Sequence, residues 1–175
     1  MGVDFQCGET SFGCSYKNWN EIRRSIILAS LDYIEDKFLK DNELYKNIKE
    51  GDENWIGEGS KYYSYMRDIN NLKNVFVLET EQPLNIFIKT CYNLSCLNAL
   101  NYFELGGLFA LCNQTDCEGY YTPGNSLDIC YLFDRIEPFV KKYDDYNNIY
   151  NKEYDNRLYN VFEYSYKTLT RVTIS

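Results

Sequence analysis

Between Asn20 and Leu39, apolar residues recur every three or four positions. Ile22, Ile26, Ala29 and Tyr33 form one row, and Ile27, Leu31, Ile34 and Phe38 form the adjacent one. Two adjoining rows at this spacing make an apolar stripe broad enough to lay a helix on a core. Asn18 or Asn20 is placed to cap its start, and Glu21 complements the positive end of the helix dipole. Arg23, Arg24, Asp32, Glu35 and Asp36 fall mostly on the other side, where solvated charge is expected. Such a stripe is buried only if the rest of the chain supplies matching faces. With 175 residues, 45% of them apolar, residues 1–175 read as a single domain.

Three more segments supply those faces. Pro83 suits a first helical turn, and Leu84, Phe87, Ile88, Cys91 and Leu94 follow at helical spacing, giving a helix over 83–101. Gly106-Gly107 breaks the pattern that follows. Asn125 or Ser126 caps a helix over 126–141 through Leu127, Cys130, Phe133, Ile136, Phe139 and Val140, with Pro138 expected to kink it or end it early. Leu158, Val161, Phe162 and Leu169 give a helix over 157–169. A shorter helix is read at 62–72, a strand at 74–78, and a short edge strand in the alternating segment 170–174. The polar stretches 40–60 and 143–156 read as loops or mobile segments. The sum is a mainly α fold, a compact helical domain of about four or five helices with minor β.

Composition removes several functions. Lys+Arg 18 against Asp+Glu 26 gives a net charge of −8, which repels phosphate backbones and argues against direct nucleic-acid binding. The chain has no histidine, so an imidazole base, a His-ligated zinc and every His-dependent nucleophile system are excluded. The segment MGVDFQCGET lacks the basic and apolar regions of a signal peptide, and the longest apolar run, Leu105 to Cys112, is far shorter than a membrane span. The expected location is cytoplasmic, with no membrane partner. There the seven cysteines read as free thiols, packing as small hydrophobes.

The most organised polar stretch is the loop Asn113-Gln114-Thr115-Asp116-Cys117-Glu118-Gly119. As a calcium loop it places Asp116 and Glu118 at ligand positions but lacks two strong carboxylates. As a nucleophile, Cys117 is disfavoured by the acidic residues on either side, which oppose the thiolate. As a structural turn, Asp116 accepts from nearby backbone amides, Gly119 takes a positive φ, and Cys117 points inward as an apolar plug. Cys7, Cys14, Cys112 and Cys117 form a formal zinc set, although their spacing is looser than that of zinc knuckles. Asp128, with Asp116 and Glu118, completes a carboxylate set for a divalent ion. Upstream, the aromatic segment from Phe5 to Trp19 lines a pocket, with Tyr16 and Trp19 in its wall, or closes over the core as a lid.

The string from Leu111 to Gly119, followed by a helix, resembles the leucine-x-x-Ser-Asp-Cys-Asp-Gly loop of a set of small uncharacterised bacterial and viral proteins. Ser15-Tyr16 leading to Trp19 and Arg23, and the closing helix before Val172, are similar in kind. Thr115 stands where the set usually has Ser, and Gln114 where it often has His. The resemblance implies no activity, cofactor or partner.

Three function classes remain open. The first is a protein-binding or inhibitor-like module, of the immunity or anti-defence kind, whose acidic surface complements a basic partner protein. Its binding residues would come from Asp116, Cys117, Glu118, Gly119, Tyr16 and Trp19, and it needs no cofactor. The second is an enzyme that works through carboxylates and a divalent metal. The third is a structural component of a virion or other large assembly.

Overall fold

The computed structural model describes residues 2–34, 36, 106–108, 110–111, 119–143, 146–150 and 157–175. Its first element is a β-hairpin. Val3, Phe5 and Cys7 of β1 (Gly2–Cys7) are buried and alternate with exposed Asp4 and Gln6. That period of two is the mark of a strand with one face on a core. β2 (Thr10–Ser15) returns antiparallel, with Cys7 opposite Thr10 across the two-residue turn Gly8-Glu9. Glycine in the first place of such a turn supplies a positive φ, here 59°.

A Cβ on Gly8 would lie 2.7 Å from Cε1 of the Tyr164 ring, so the turn is pressed onto that ring. Gly8→Ala therefore meets both a backbone penalty of about 1–2 kcal/mol and a steric one. Thermal denaturation should show a clear fall in Tm, and Tyr164→Ala in the same chain should recover the steric part alone.

A mainly α fold is overturned by a four-stranded antiparallel sheet of order β2-β1-β4-β3, where β3 is Gly119–Tyr121 and β4 is Val172–Ile174. The fold is a mixture of α and β. The edge strand expected at 170–174 is instead an interior strand, paired with β1 on one side and β3 on the other. Asp4 and Ser175 exchange backbone bonds, Asp4 N–H to the Ser175 carbonyl at 2.9 Å and Ser175 N–H to the Asp4 carbonyl at 3.1 Å. Sheets of this kind carry one apolar face, and here helices cover it.

α1 (Tyr16–Ile34) begins directly after β2. Its cap is Ser15, whose Oγ accepts the Asn18 N–H at 3.2 Å, and not Asn18 or Asn20 as the periodicity suggested. The periodicity began later than the helix because Tyr16 to Asn18 add little to the stripe. Ile22, Ile26, Ile27, Ala29, Leu31 and Tyr33 are buried as the stripe requires.

α2 (Pro123–Val140) starts earlier than expected: Thr122 is the cap and Asn125 its reciprocal partner. Thr122 Oγ1 accepts the Asn125 N–H at 3.2 Å, and Asn125 Oδ1 accepts the Thr122 N–H at 3.2 Å. Pro123 occupies the first turn, where its missing N–H costs nothing. Pro138 sits in the last turn, and the helix ends two residues beyond it at Val140.

α3 (Tyr146–Tyr150) falls within the stretch read as a loop, and corrects that reading for these residues. Its Ile149 and Tyr150 are buried, and the Tyr150 hydroxyl donates to the Phe133 carbonyl at 2.7 Å. α4 (Leu158–Thr168) lies within the segment read as helical. Leu169, counted in its apolar row, is instead the left-handed C-cap (φ 56°), 80% exposed.

Gly106 and Gly107, read as a break, are helical and buried beside α2, and at Gly107 only a residue without a side chain lets the two backbones approach so closely. α2 and α4 are joined inside the core by Ser126 Oγ and Ser165 Oγ, 2.8 Å apart, with Ser165 donating to the Thr170 carbonyl at 2.6 Å. The described elements share one hydrophobic core. The helix expected at 83–101, the helix at 62–72, the strand at 74–78, the loop at 40–60 and the remainder of 143–156 other than 146–150 and Tyr143 lie outside the described residues.

Candidate functional site

Of the loop singled out by sequence, Asp116, Cys117 and Glu118 lie outside the described residues, as does Cys112. Gly119 is the first residue of β3, opposite Ile174, with φ 157°. The positive φ expected of it is present, and it falls at the start of a strand. Trp19 packs into the core beneath the hairpin. It is buried with its ring 4.8 Å from that of Phe5, and the Arg23 guanidinium lies 5.6 Å from its centroid on the outer side. Tyr16 is half-buried against the same core. The lid reading of this segment is closer to what the hairpin and α1 do.

Cys7 and Cys14 face the same side of the hairpin but sit opposite Thr10 and Val3 respectively. Four residues of strand separate those rungs by about 13 Å, too far for one metal ion. Asp128 is half-buried on α2 over Gly106, and burial raises its carboxyl above the usual range. Among the described residues no three His, Cys, Asp or Glu side chains come together as a metal site.

The thiols differ in reactivity for physical reasons. Burial first, then the nearby Asp134 and Glu163 carboxylates, push the Cys130 thiol up to about 12 against an ordinary 9.0, with Lys167 opposing. Burial also raises Cys7. Both stay neutral at physiological pH, so half-buried Cys14 should be the first of these three to label with a thiol reagent.

A group whose folded pKa is raised stabilises the fold below its unfolded pKa. Cys130 therefore contributes stability that is whole below about pH 9 and lost as pH rises towards 12. Tyr143 and Tyr159 are shifted in the same direction by burial and by hydrogen bonds to Asp32 and Asp134. Urea midpoints should fall steadily above pH 9, and Cys130→Ala should flatten the early part of that fall.

Among the described residues, two concave features lie beside the hairpin. The larger, 710 Å³, runs between the β1–β2 turn and the outer face of α4. Tyr159, Glu163 and Lys167 fall on one helical row and Asn160, Tyr164 and Thr168 on the next, with Glu9 and Thr10 facing them from the turn. Lys167 Nζ lies 2.7 Å from Glu163 Oε1, and the Lys167 side chain is 56% exposed. The Tyr159 hydroxyl donates to Asp134 Oδ1 at 3.0 Å, and its raised pKa keeps it a neutral donor. The walls are thus tyrosine rings and carboxylates, with one solvent-exposed cation. That lining suits a positively charged group, which gains from ring faces and carboxylates together.

The smaller cleft, 280 Å³, follows β2 from Ser11 to Cys14 and is bounded by Asn18, Ile22, Asn148 and Arg157. Sequence reasoning missed both features. It used only the apolar face of 157–169, although Tyr159, Glu163 and Tyr164 stand at helical spacing on the adjoining face.

No family model matches the chain, and no curated protein and no solved structure matches it. Among the described residues no helix is long and apolar enough to cross a membrane.

Proposed function

We propose that this protein is a binding module for another protein, taking a basic segment of that partner into the groove between the hairpin turn and α4. The observation that carries this reading is the convergence of Glu9 and Glu163 with the rings of Tyr159 and Tyr164 in one groove. The chain's charge of −8 adds long-range attraction to a basic surface, raising the encounter rate and making it salt-sensitive. An inhibitor-like role, of the immunity or anti-defence kind, is the form of this function that fits a small acidic domain. The free thiols of Cys7, Cys14 and Cys130 suit the reducing cytoplasm as its location.

The test uses a capped heptapeptide containing three arginines, titrated into the full chain by calorimetry at low and high salt. Binding should weaken as salt rises. A chain carrying both Glu9→Gln and Glu163→Gln should bind about tenfold more weakly, since it removes both carboxylates from the groove. Glu137→Gln, on the exposed side of α2 beside Lys141, should leave affinity unchanged. Equal affinity of the double variant and the parent would refute the groove.

A further inference from the structure

Antiparallel ladders alternate residues whose backbone groups face one neighbour with residues facing the other. Asp4 spends both its N–H and its carbonyl on Ser175, so its backbone faces β4. The alternation then turns Val3, Phe5 and Cys7 towards β2, where they meet Cys14, Phe12 and Thr10. Ser11 and Gly13 consequently point their N–H and carbonyl groups away from the sheet. Among the described residues no strand pairs on that side. Natural edge strands are usually guarded by charge, proline, a bulge or brevity. β2 is six residues long, Thr-Ser-Phe-Gly-Cys-Ser, without a charge or a proline, and its register with β1 runs unbroken from Gly2↔Ser15 to Cys7↔Thr10. The smaller cleft lies along this same edge.

The outer face adds a specificity element. Asp4 is opposite Gly13, and a side chain at residue 13 would collide with Asp4 Oδ1. The bare glycine lets the carboxylate lean across β2 towards the edge that no other described strand pairs with.

We propose that β2 accepts an extended segment of the partner protein as a fifth strand, with a lysine or arginine opposite Gly13 that crosses the glycine to reach Asp4. The inference rests on the reading of the protein as a module for a basic protein partner, and adds a second contact with its own chemistry. Strand addition of this kind takes affinity from main-chain bonds and selectivity from alternate side chains. On the cleft side the partner's alternate residues meet Asn18, Asn148 and Arg157, which favours polar side chains there. A second copy of this chain is a poor occupant. It would bring one Asp4 carboxylate near another, and a six-residue edge contact falls well below the roughly 1,200 Å² of a stable interface.

The probe is the capped peptide Thr-Val-Thr-Lys-Thr-Val-Thr, with a glutamate-centred version as control, followed by amide NMR on the full chain. The lysine peptide should shift the Ser11 and Gly13 amides and slow their hydrogen exchange. The glutamate peptide should bind about fivefold more weakly, and Asp4→Asn should erase that difference. Ser11→Pro removes one outward donor at an edge position that tolerates proline, and should weaken both peptides; its Tm reports whether the fold is intact. Failure of the lysine peptide to bind at millimolar concentration would overturn the edge site. So would shifts confined to Glu9, Tyr159 and Glu163, while leaving the groove standing. The reverse pattern, edge shifts together with an unaffected Glu9→Gln/Glu163→Gln chain in the arginine titration, would support the edge and refute the groove.

Discussion

Phe5→Ala is expected to cost about 3–5 kcal/mol, the range for truncating a fully enclosed phenylalanine. Phe5 has no exposed surface and stands where the sheet meets two helices. Its ring centroid lies 4.8 Å from Trp19, 6.2 Å from Phe12, 6.2 Å from Phe162 and 6.4 Å from Tyr121. One substitution therefore strips contacts from β2, α1, β3 and α4 together. Against a total of about 5–15 kcal/mol for a typical domain, such a loss removes a large part of the stability. Urea denaturation should show the midpoint collapsing for Phe5→Ala and falling much less for Phe5→Leu, which keeps most of the volume. Equal, small losses in both variants would mean that this ring cluster does not hold the sheet to the helices.

Gly107→Ala should be nearly as damaging, and the contrast with its neighbour makes the prediction sharp. A Cβ at residue 107 would run into the Asp128 carbonyl oxygen, and would lie 2.7 Å from both the Asp128 carbonyl carbon and Ile129 Cα. These are backbone atoms of α2 and cannot swing aside, so the two segments must move apart, at a cost of about 1–3 kcal/mol or more. At residue 106 the nearest atom is an Asp128 side-chain oxygen at 3.2 Å, which can rotate away. There the helix-forming gain of alanine, up to about 1 kcal/mol, offsets the crowding. Thermal scans should place Gly106→Ala near the parent, with Gly107→Ala lower by at least about 4 °C. A reversed order would show that the close approach at Gly107 is not what packs this turn against α2.

How much of this was legible in the sequence depended on the kind of signal. The stripe from Ile22 to Tyr33 and the row Leu158, Val161 and Phe162 are long-period patterns that packing amplifies, and both became helices. Val3, Phe5 and Cys7 carry an equally clear period of two. It spans only six residues, and its confirmation lay in the Gly8-Glu9 turn and in the distant partner strand β4. Short strands take their identity from their neighbours, and one chain segment read by itself does not contain them. The caps were misplaced for a related reason: Ser15 and Thr122 follow from hydrogen-bond geometry, while apolar periodicity marks only where a face becomes buried.

The candidate sites were legible to a lesser degree. Trp19 admits both a pocket and a lid reading because an aromatic beside small residues fits either, and its burial against Phe5 favours the lid. The groove residues Glu9 and Glu163 are 154 positions apart (163 − 9) and meet only because the hairpin turn rests on Tyr164. The outward groups of Ser11 and Gly13 are set by the Asp4–Ser175 pairing, which no local pattern encodes.

That pairing also orders events in time. β1 lies between β2, which follows it at once, and β4, whose first residue is Val172. During synthesis the hairpin can close as soon as Ser15 has left the ribosome, but one flank of β1 stays open until Val172 to Ser175 emerge. The enclosure of Phe5 is then complete only once Tyr121, Phe162 and β4 have all been made. Closing contacts over so long a separation is the slow step for chains of high contact order. Until β4 arrives between β1 and β3, the bare edge of β1 and the apolar face around Phe5 are the kind of surface through which partly folded chains associate.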